Sequence, residues 1–463
     1  MENQYGQTFQ SLSDNVGRFT LRGKTFLIPE MNRIGCHLLA GVFKGFGIHA
    51  RVIETYKGMD LGLEYSSGKE CYPCQVTLGD ILYFMKKEQE KQGDAFNPED
   101  YIYFMPEASG PCRFGMYNKY QRIVLDSFPR LDKLKIAALT TGDGYSLEGI
   151  IDANLVGDLR KSSFFSVVVS DIMDRFLWRV RPYEREPGMA DEFIEKATHD
   201  MEEGFEIYGP DKDFEKILDR LEKIIEEGKG IIDPDIPPKP LIGIVGEIYL
   251  RCQVHANQNL IRLLERHGAE VVNASITEWV NFISYQRLRD ARTGFRLNLK
   301  QFRAGRTWQN MKELLKYRLE LAYQEFRQKQ VYSRVETLIE LANDHKVKHL
   351  EELVMEEDLF HFDMGTEACL SIAGILEYAR EGFNGVVNVY PFTCMPSTAT
   401  SAIISPVMNR LGVPYLDTPY DSSFQPGREA AIRTFMYQAQ QHMKRHGRKA
   451  LRPGAQGEKG EQE

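Results

Sequence analysis

The chain has 463 residues, too many for one ordinary hydrophobic core, and its length predicts two domains of about 200 residues each. A hydrophobic fraction of 42% and a charged fraction of 27% are typical of a soluble globular protein, and no apolar run reaches the ~20 residues that a membrane span needs. The net charge of −8 argues against a nucleic-acid partner, which requires a basic surface, and the polar first residues lack the pattern of a signal peptide.

The first half of the chain alternates short apolar segments with longer amphipathic ones. Residues 1–20 predict a flexible polar leader, and an N-terminal α/β domain with a helical insertion follows at 21–235. Strands are predicted at 25–29, at 101–105 and near Leu139, with helices after the first two. Strands that alternate with helices in this way indicate a parallel sheet.

The second half restarts the same plan after a proline-rich segment. The segment "IIDPDIPPKP", residues 231–240, interrupts a long helical pattern and marks the predicted domain boundary. A C-terminal α/β domain is predicted at 236–446, with strands at 385–390 and 413–416. The composition of residues 447–463 predicts a disordered tail. The whole predicts an α/β protein of two doubly wound, Rossmann-like parallel-sheet domains with helical insertions.

Four of the seven cysteines share one local pattern, a proline-containing loop that leads into a predicted helix. Cys71 and Cys74 lie in "GKECYPCQVTLGD", Cys112 lies in "PEASGPCRFG" and Cys394 lies in "YPFTCMPST". In the cytoplasm, where we expect this protein, thiols stay reduced, so a disulfide framework is not expected. The C-x-x-C spacing by itself fits zinc, an iron–sulfur cluster or a redox disulfide.

The position before a helix has a chemical use for a thiolate. Helix N-termini present unpaired N–H groups and a positive potential, which favour thiolates and lower the thiol pKa. In an open α/β sheet, the loops after the strands line the ligand crevice. Cys112 and Cys394 are far apart in the sequence, but loops of two facing domains can bring them together.

The other three cysteines, Cys36, Cys252 and Cys369, are predicted to be buried in the core, with Cys36 as a reserve ligand. Zinc is the competing metal for the first four. Structural zinc sites usually combine two close pairs of ligands, whereas here one pair is joined by two distant single cysteines. This distribution fits a cluster held between domains better than a zinc knuckle.

Acidic residues follow three of the predicted strands and are candidate catalytic groups. Glu30, Glu107 and Glu247 occur in "IPEMN", "MPEASG" and "VGEIY", where they could bind substrate or act as acid or base. A helix cap or an ion pair is the simpler explanation for each one alone. The fourth candidate, His255 in "CQVHANQNL", lies in a predicted strand-to-helix loop.

Four stretches together resemble the acyl-CoA dehydratase activase-related proteins, a group also described as CoA-substrate-specific enzyme activase-related. They are "GKECYPCQVTLGD", "MPEASGPCRFGMYNKYQRIVLD", "GIVGEIYLRCQVHANQNLIRLLERHGAEV" and "NVYPFTCMPST". The resemblance runs from about residue 25 to about residue 440. The group is more distantly similar to the subunits of 2-hydroxyacyl-CoA dehydratase and benzoyl-CoA reductase.

The resemblance implies two α/β domains with an iron–sulfur cluster in the cleft between them. Carried onto this chain, the cluster ligands would be Cys71, Cys74, Cys112 and Cys394, holding a [4Fe–4S] cluster. A double-cubane cluster would require more cysteines, and the remaining three have no strong motif around them. Arg113 and Lys119, near Cys112, would offset the negative charge of the cluster or its substrate, although a solvated surface position explains each equally well.

The resemblance also implies partners. In the dehydratase relatives, a separate ATPase activator of the sugar kinase and actin type delivers electrons, and a homodimer is plausible. This chain has no phosphate-binding motif of its own, so we expect it to accept low-potential electrons and use them for reduction or radical chemistry on a small substrate, or pass them onward. The alternatives are a non-catalytic scaffold or regulatory partner of an activase with a structural metal, and a zinc-stabilised binding protein.

Overall fold

The computed structural model describes residues 2–449, and for residues 2–6 it describes the backbone alone. The chain forms an α/β protein with two parallel sheets. The strands of the first sheet are β1 (Val16–Gly17), β2 (Thr25–Pro29), β3 (His49–Ile53), β4 (Tyr101–Phe104) and β5 (Lys135–Ala137). The strands of the second are β6 (Leu241–Gly246), β7 (Glu270–Asn273), β8 (Gly385–Pro391) and β9 (Tyr415–Tyr420).

The two sheets have related strand orders. The first runs β1-β5-β4-β2-β3 and the second runs β7-β6-β8-β9, and every pairing between neighbours is parallel. In both sheets, therefore, an early strand (β2 or β6) lies between the next strand of the chain and a later one. The carboxyl ends of β2 and β4, and of β6 and β8, lie side by side at one edge of each sheet.

Sixteen α-helices connect and cover the strands of the described chain. They are α1 (Glu2–Asn15), α2 (Arg33–Gly45), α3 (Met59–Glu64), α4 (Tyr72–Gln92), α5 (Tyr117–Leu125), α6 (Val156–Val180), α7 (Met189–Tyr208), α8 (Phe214–Gly228), α9 (Ile248–Cys252), α10 (Leu260–Arg266), α11 (Ile276–Lys300), α12 (Ala304–Val335), α13 (Val347–Glu356), α14 (Glu367–Arg380), α15 (Met395–Leu411) and α16 (Arg428–His446). In residues 2–449, no helix combines the length and the apolar character needed to cross a membrane.

The N-terminal segment contains regular secondary structure where the sequence predicts a flexible leader. The expected flexible leader at 1–20 contains α1, followed by β1, which pairs with β5 and extends the first sheet. The Ser11 hydroxyl also bonds to the Asp126 carboxylate at 2.9 Å, so tertiary contacts, invisible in a polar sequence, order this segment. At the other end, residues 447–449 reach the second domain, and residues 450–463 of the predicted tail lie outside the described residues.

The core explains how the two halves of the chain are joined near α4. Cys71 and Cys74 belong to the apolar cluster under the first sheet, whereas Tyr72 and Val76 belong to the cluster of the second sheet. Successive residues of one helix therefore pack into both cores. Because an α-helix turns by about 100° per residue, neighbouring positions face different sides, and the start of α4 is fixed between the two sheets.

Candidate functional site

Three of the four predicted ligands occupy the N-cap position of a helix, as the loop-to-helix pattern predicted. Cys71 precedes α4, which has a proline in its first turn, and Cys394 precedes α15, which has the same feature. Cys112 precedes a 3₁₀ turn, Arg113–Met116, that continues into α5. The fourth, Cys74, lies in the first turn of α4 and is completely buried.

One side chain ties the three cysteine loops together. The guanidinium of Arg113 donates to the Lys69 carbonyl at 2.7 Å and to the Thr393 carbonyl at 2.8 Å. Arg113 follows Cys112, Lys69 lies two residues before Cys71, and Thr393 precedes Cys394. Loops from both halves of the chain are thus held next to one another by two charge-assisted hydrogen bonds.

The backbone at two of these loops is strained. Cys71 has a φ of 100° and Thr393 has a φ of 63°, both in a region that residues with a side chain rarely occupy. Such conformations cost on the order of 1–3 kcal/mol each and persist only where the surroundings fix them. Because they lie at two cysteine loops joined by Arg113, the strain marks this place as a candidate site.

Burial controls the acidity of the thiols. It raises the pKa of Cys71 to about 11 and the pKa of both Cys112 and Cys394 to about 12, and it raises the pKa of Cys74 further. A thiolate at Cys71 adds to the increase for the other three, which shows that the four sulfurs share one neighbourhood. The predicted lowering of the thiol pKa is therefore wrong, because burial outweighs the helix N-termini.

The helix N-termini still contribute donors that stabilise a thiolate. The backbone N–H of Phe114 lowers the pKa of Cys112, and the hydroxyl and N–H of Ser397 lower that of Cys394. For Cys71, the donors are the Tyr117 hydroxyl and the Tyr72 N–H. These groups act in the predicted direction but are weaker than the cost of burying a charge.

The four cysteines do not converge on a point. In the described chain, no three of them bring their sulfurs within 4.8 Å of one another. A single zinc ion would need such convergence, because all of its ligands bind the same atom. The four cysteines of a [4Fe–4S] cluster each bind a different iron, so their sulfurs lie apart around the cluster.

Two partly buried carboxyl groups lie beside the cysteines. Glu247 caps α9, accepting from the N–H groups of Tyr249 at 3.2 Å and Leu250 at 2.9 Å, and burial raises its pKa. Burial, and then the charge of Glu247, raise the pKa of Glu367 at the start of α14. Glu247 also raises the pKa of three of the cysteine thiols, so the pair belongs to the same site.

Glu367 is the functional candidate that sequence reasoning missed. It follows Thr366, the N-cap of α14, where an acidic residue is ordinary, so the sequence gives no signal that sets it apart. Its Oε1 atom is nevertheless buried without a hydrogen-bond partner. Only the fold, which brings the start of α14 to the end of β6, reveals the pair.

The remaining predicted acids have local partners. Glu107 accepts a hydrogen bond from Asn118 at 3.0 Å and forms an ion pair with Lys119, so the positive charge of Lys119 is paired with this carboxylate. Glu30 lies 3.7 Å from Arg33, and burial raises its pKa. Ion pairing accounts for both residues.

His255 is exposed, and its charge lowers the pKa of Glu30, so it lies near that carboxyl group. Its ring stacks on Tyr56 with the centroids 5.6 Å apart. Nearby, the Gln253 amide donates to the Glu30 carbonyl at 3.2 Å and joins the two halves of the chain a second time.

The other three cysteines are also buried or nearly so. Cys36 donates to the Pro29 carbonyl and Cys369 points to the Phe362 carbonyl, both within apolar clusters. Cys252 lines a small polar cavity with Asp171 and Asp174. These positions fit the predicted packing roles.

No protein-family model matches the sequence, and no curated protein matches it. The relation to the acyl-CoA dehydratase activase-related proteins therefore stays a prediction, supported by the quoted stretches. The site has to be interpreted from its own chemistry.

Proposed function

We propose that Cys71, Cys74, Cys112 and Cys394 hold a [4Fe–4S] cluster in a cleft between two doubly wound, Rossmann-like domains. In this proposal the protein is an iron–sulfur component of the 2-hydroxyacyl-CoA dehydratase and activase-related group and acts in the cytoplasm. It accepts low-potential electrons from a separate ATP-dependent activator and uses them for reduction or radical chemistry on a small substrate, or transfers them onward.

The observation that carries the proposal is the convergence of three cysteine loops on Arg113. Four thiols from both halves of the chain lie in one electrostatic neighbourhood, at the carboxyl ends of the strands, where α/β proteins bind their ligands. One close pair of cysteines joined by two distant single ones fits a cluster held between domains better than a structural zinc site, which usually combines two close pairs. When bound, a cluster of this type supplies one-electron transfer at low potential.

The residues around the thiols suit such a group. Arg113 places a positive charge beside ligands that become anionic when they bind metal, which lowers the cost of gathering four thiolates. The N–H groups of Phe114 and Ser397 and the Tyr117 hydroxyl point to sulfurs, and donors of this kind raise a reduction potential. Buried surroundings exclude water, so these dipoles act at full strength.

The carboxyl pair supplies the acid–base part of the proposal. Burial, and then the charge of Glu247, raise the pKa of Glu367, which favours its protonated form. In that form its carboxyl carries an O–H group beside the cysteines that can donate to a substrate oxygen. Glu247 accepts from two backbone N–H groups, which fix its position.

The first experiment is metal analysis of anaerobically purified protein. We expect iron and acid-labile sulfide at about four of each per chain, and an EPR signal after reduction; about eight irons per chain would indicate a double-cubane cluster. Absence of iron after anaerobic reconstitution, with stoichiometric zinc or no metal, would leave the scaffold or the zinc-stabilised binding protein as the function.

Cysteine variants connect the metal to the site. Serine replacement of Cys112 or Cys394 should abolish the signal, because each supplies a ligand from a different half of the chain. Cys369→Ser is the control, since this cysteine is also buried, like Cys394, but lies on α14 within the apolar core of the second sheet. Loss of iron in the control to the same extent would show that folding, and not ligation, was affected.

A further inference from the structure

A second group of metal-ligating side chains lies where the segment before α13 meets the end of α14. His345 Nε2 lies 3.2 Å from Glu381 Oε2, and His349 Nε2 lies 2.9 Å from Glu377 Oε1. Donor atoms of His345, Glu377 and Glu381 all lie within 4.8 Å of one another. Among the described side chains, those of residues 7–449, no other three His, Cys, Asp or Glu groups converge as closely.

We propose that His345, Glu377 and Glu381 bind Zn²⁺ at a site separate from the cysteines, with His349, which pairs with Glu377, at its rim. Imidazole nitrogen with carboxylate oxygen is a donor set that suits zinc, whereas Ca²⁺ and Mg²⁺ prefer oxygen ligands alone. Zinc bonds of about 2.0–2.1 Å in a tetrahedral arrangement place neighbouring donor atoms about 3.4 Å apart. The 3.2 Å between His345 Nε2 and Glu381 Oε2 is close to that value, and the donor atoms of all three residues lie within 4.8 Å, so binding requires small side-chain adjustments.

The sequence spacing explains why these groups meet. Glu377 and Glu381 are four residues apart at the end of α14 and therefore lie on one face of that helix. His345 and His349 have the same spacing, an H-x-x-x-H pattern that can be read directly from "DHKVKH". The two pairs face one another, so each histidine meets a glutamate.

The surroundings orient the ligands and leave a way in. Lys449 bonds to Glu381 Oε1 at 2.9 Å, which leaves Oε2 directed at His345. The ring of Tyr378 meets His345 edge to face and limits its rotation. His345 and Glu377 are largely buried, whereas the side chain of His349 is 52% exposed, so an ion can enter from that side.

Two histidine–glutamate ion pairs would give the same distances without a metal, and the experiment must separate these cases. We would titrate the full chain with Co²⁺, as a coloured substitute for Zn²⁺, and with Zn²⁺ in a calorimeter. Cobalt at a histidine and carboxylate site should give visible absorption without a sulfur-to-cobalt charge-transfer band. That absorption, and one equivalent of bound Zn²⁺, should disappear in the double variant Glu377→Gln and Glu381→Gln.

Matched controls keep the proposal open to refutation. His361→Ala removes a similar, exposed histidine that pairs with Asp363 elsewhere, and it should leave zinc binding unchanged. The glutamine variants keep the side-chain shape, and their circular dichroism should match the parent protein. Either of two results would overturn the site: no cobalt absorption, or absorption that carries the sulfur band and disappears only when Cys71 and Cys74 are replaced.

Discussion

Arg113 offers the sharpest test of the site, because its side chain alone joins the three cysteine loops. Arg113→Met keeps the aliphatic part of the side chain and removes both donors to the Lys69 and Thr393 carbonyls. Hydrogen bonds from charged groups contribute about 1.5–3 kcal/mol each, and partial exposure of Arg113 puts both bonds at the low end. The two together stabilise the assembled loops by about 3 kcal/mol or less.

That free energy should appear in metal affinity more than in the stability of the fold. Changes to groups that orient metal ligands typically cost about 10–100-fold in affinity, which corresponds to about 1.4–2.7 kcal/mol and agrees with the bond energies. We therefore expect reconstituted Arg113→Met protein to lose iron to a chelator about 10–100-fold faster. Lysine carries a point charge and lacks the two-pronged donor geometry of arginine, so the rate of iron loss from Arg113→Lys should lie between those of the parent protein and Arg113→Met.

The control is Arg130→Met, since Arg130 also donates to two backbone carbonyls, those of Gly93 and Phe96, but lies away from the cysteine loops. It should lower the melting temperature and leave the rate of iron loss unchanged. The reasoning fails if Arg113→Met holds iron as well as the parent protein, or if Arg130→Met loses it equally fast.

Three further predictions concern groups around the site. Tyr117→Phe removes a hydroxyl that bonds to Cys71, and we expect the reduction potential, measured by EPR-monitored titration, to fall by tens of millivolts without loss of iron; an unchanged potential would contradict this. Burial raises the pKa of Asp80 to about 7, so the stability that Asp80 contributes is complete below about pH 4 and is lost as the pH rises through 7. Asp80→Asn retains hydrogen-bond partners for Thr55 and Tyr56, and its free energy of unfolding in urea should rise by about 2–4 kcal/mol relative to that of the parent between pH 4 and pH 8. A difference that stays constant over this pH range would refute the assignment. A Cβ at Gly62 would lie 2.1 Å from the Gln75 carbonyl of α4, so Gly62→Ala should destabilise by about 1–3 kcal/mol, whereas Gly157→Ala, with open space around it, should not destabilise at all.

Local features of the site were predictable because they are written in short stretches of sequence. Strand β2 has the predicted bounds, and three cysteines stand at helix N-caps as the proline-containing loops indicated. Periodicity and capping are properties of a few neighbouring residues, so a single sequence contains them. The H-x-x-x-H spacing of His345 and His349 is of the same kind, but it was not recognised from the sequence.

Tertiary features were not predictable, because they depend on residues that are distant in the sequence. Nothing near Glu367 in the sequence indicates that its carboxyl is buried against Glu247, and nothing near Arg113 indicates that its partners are two distant carbonyls. The thiol pKa values show the consequence. The helix N-termini were recognised from the sequence, but burial, which depends on the packing of both domains, decides the direction.

The two strand orders explain how cysteines from opposite halves of the chain reach one place. In each sheet, the early strand and its later neighbour end side by side, so Glu247, which follows β6, lies near the loop of Cys394, which follows β8. Parallel pairing alone accounts for the position of the loops within each sheet. Bringing loops of both sheets together also requires the two sheet edges to face each other. The hydrogen bonds from Arg113 to Thr393 and the packing of Tyr72 in the second core achieve this. Residues 21–235 contain three of the four cysteines and residues 236–446 contain one, so neither half alone can provide all four of the proposed ligands.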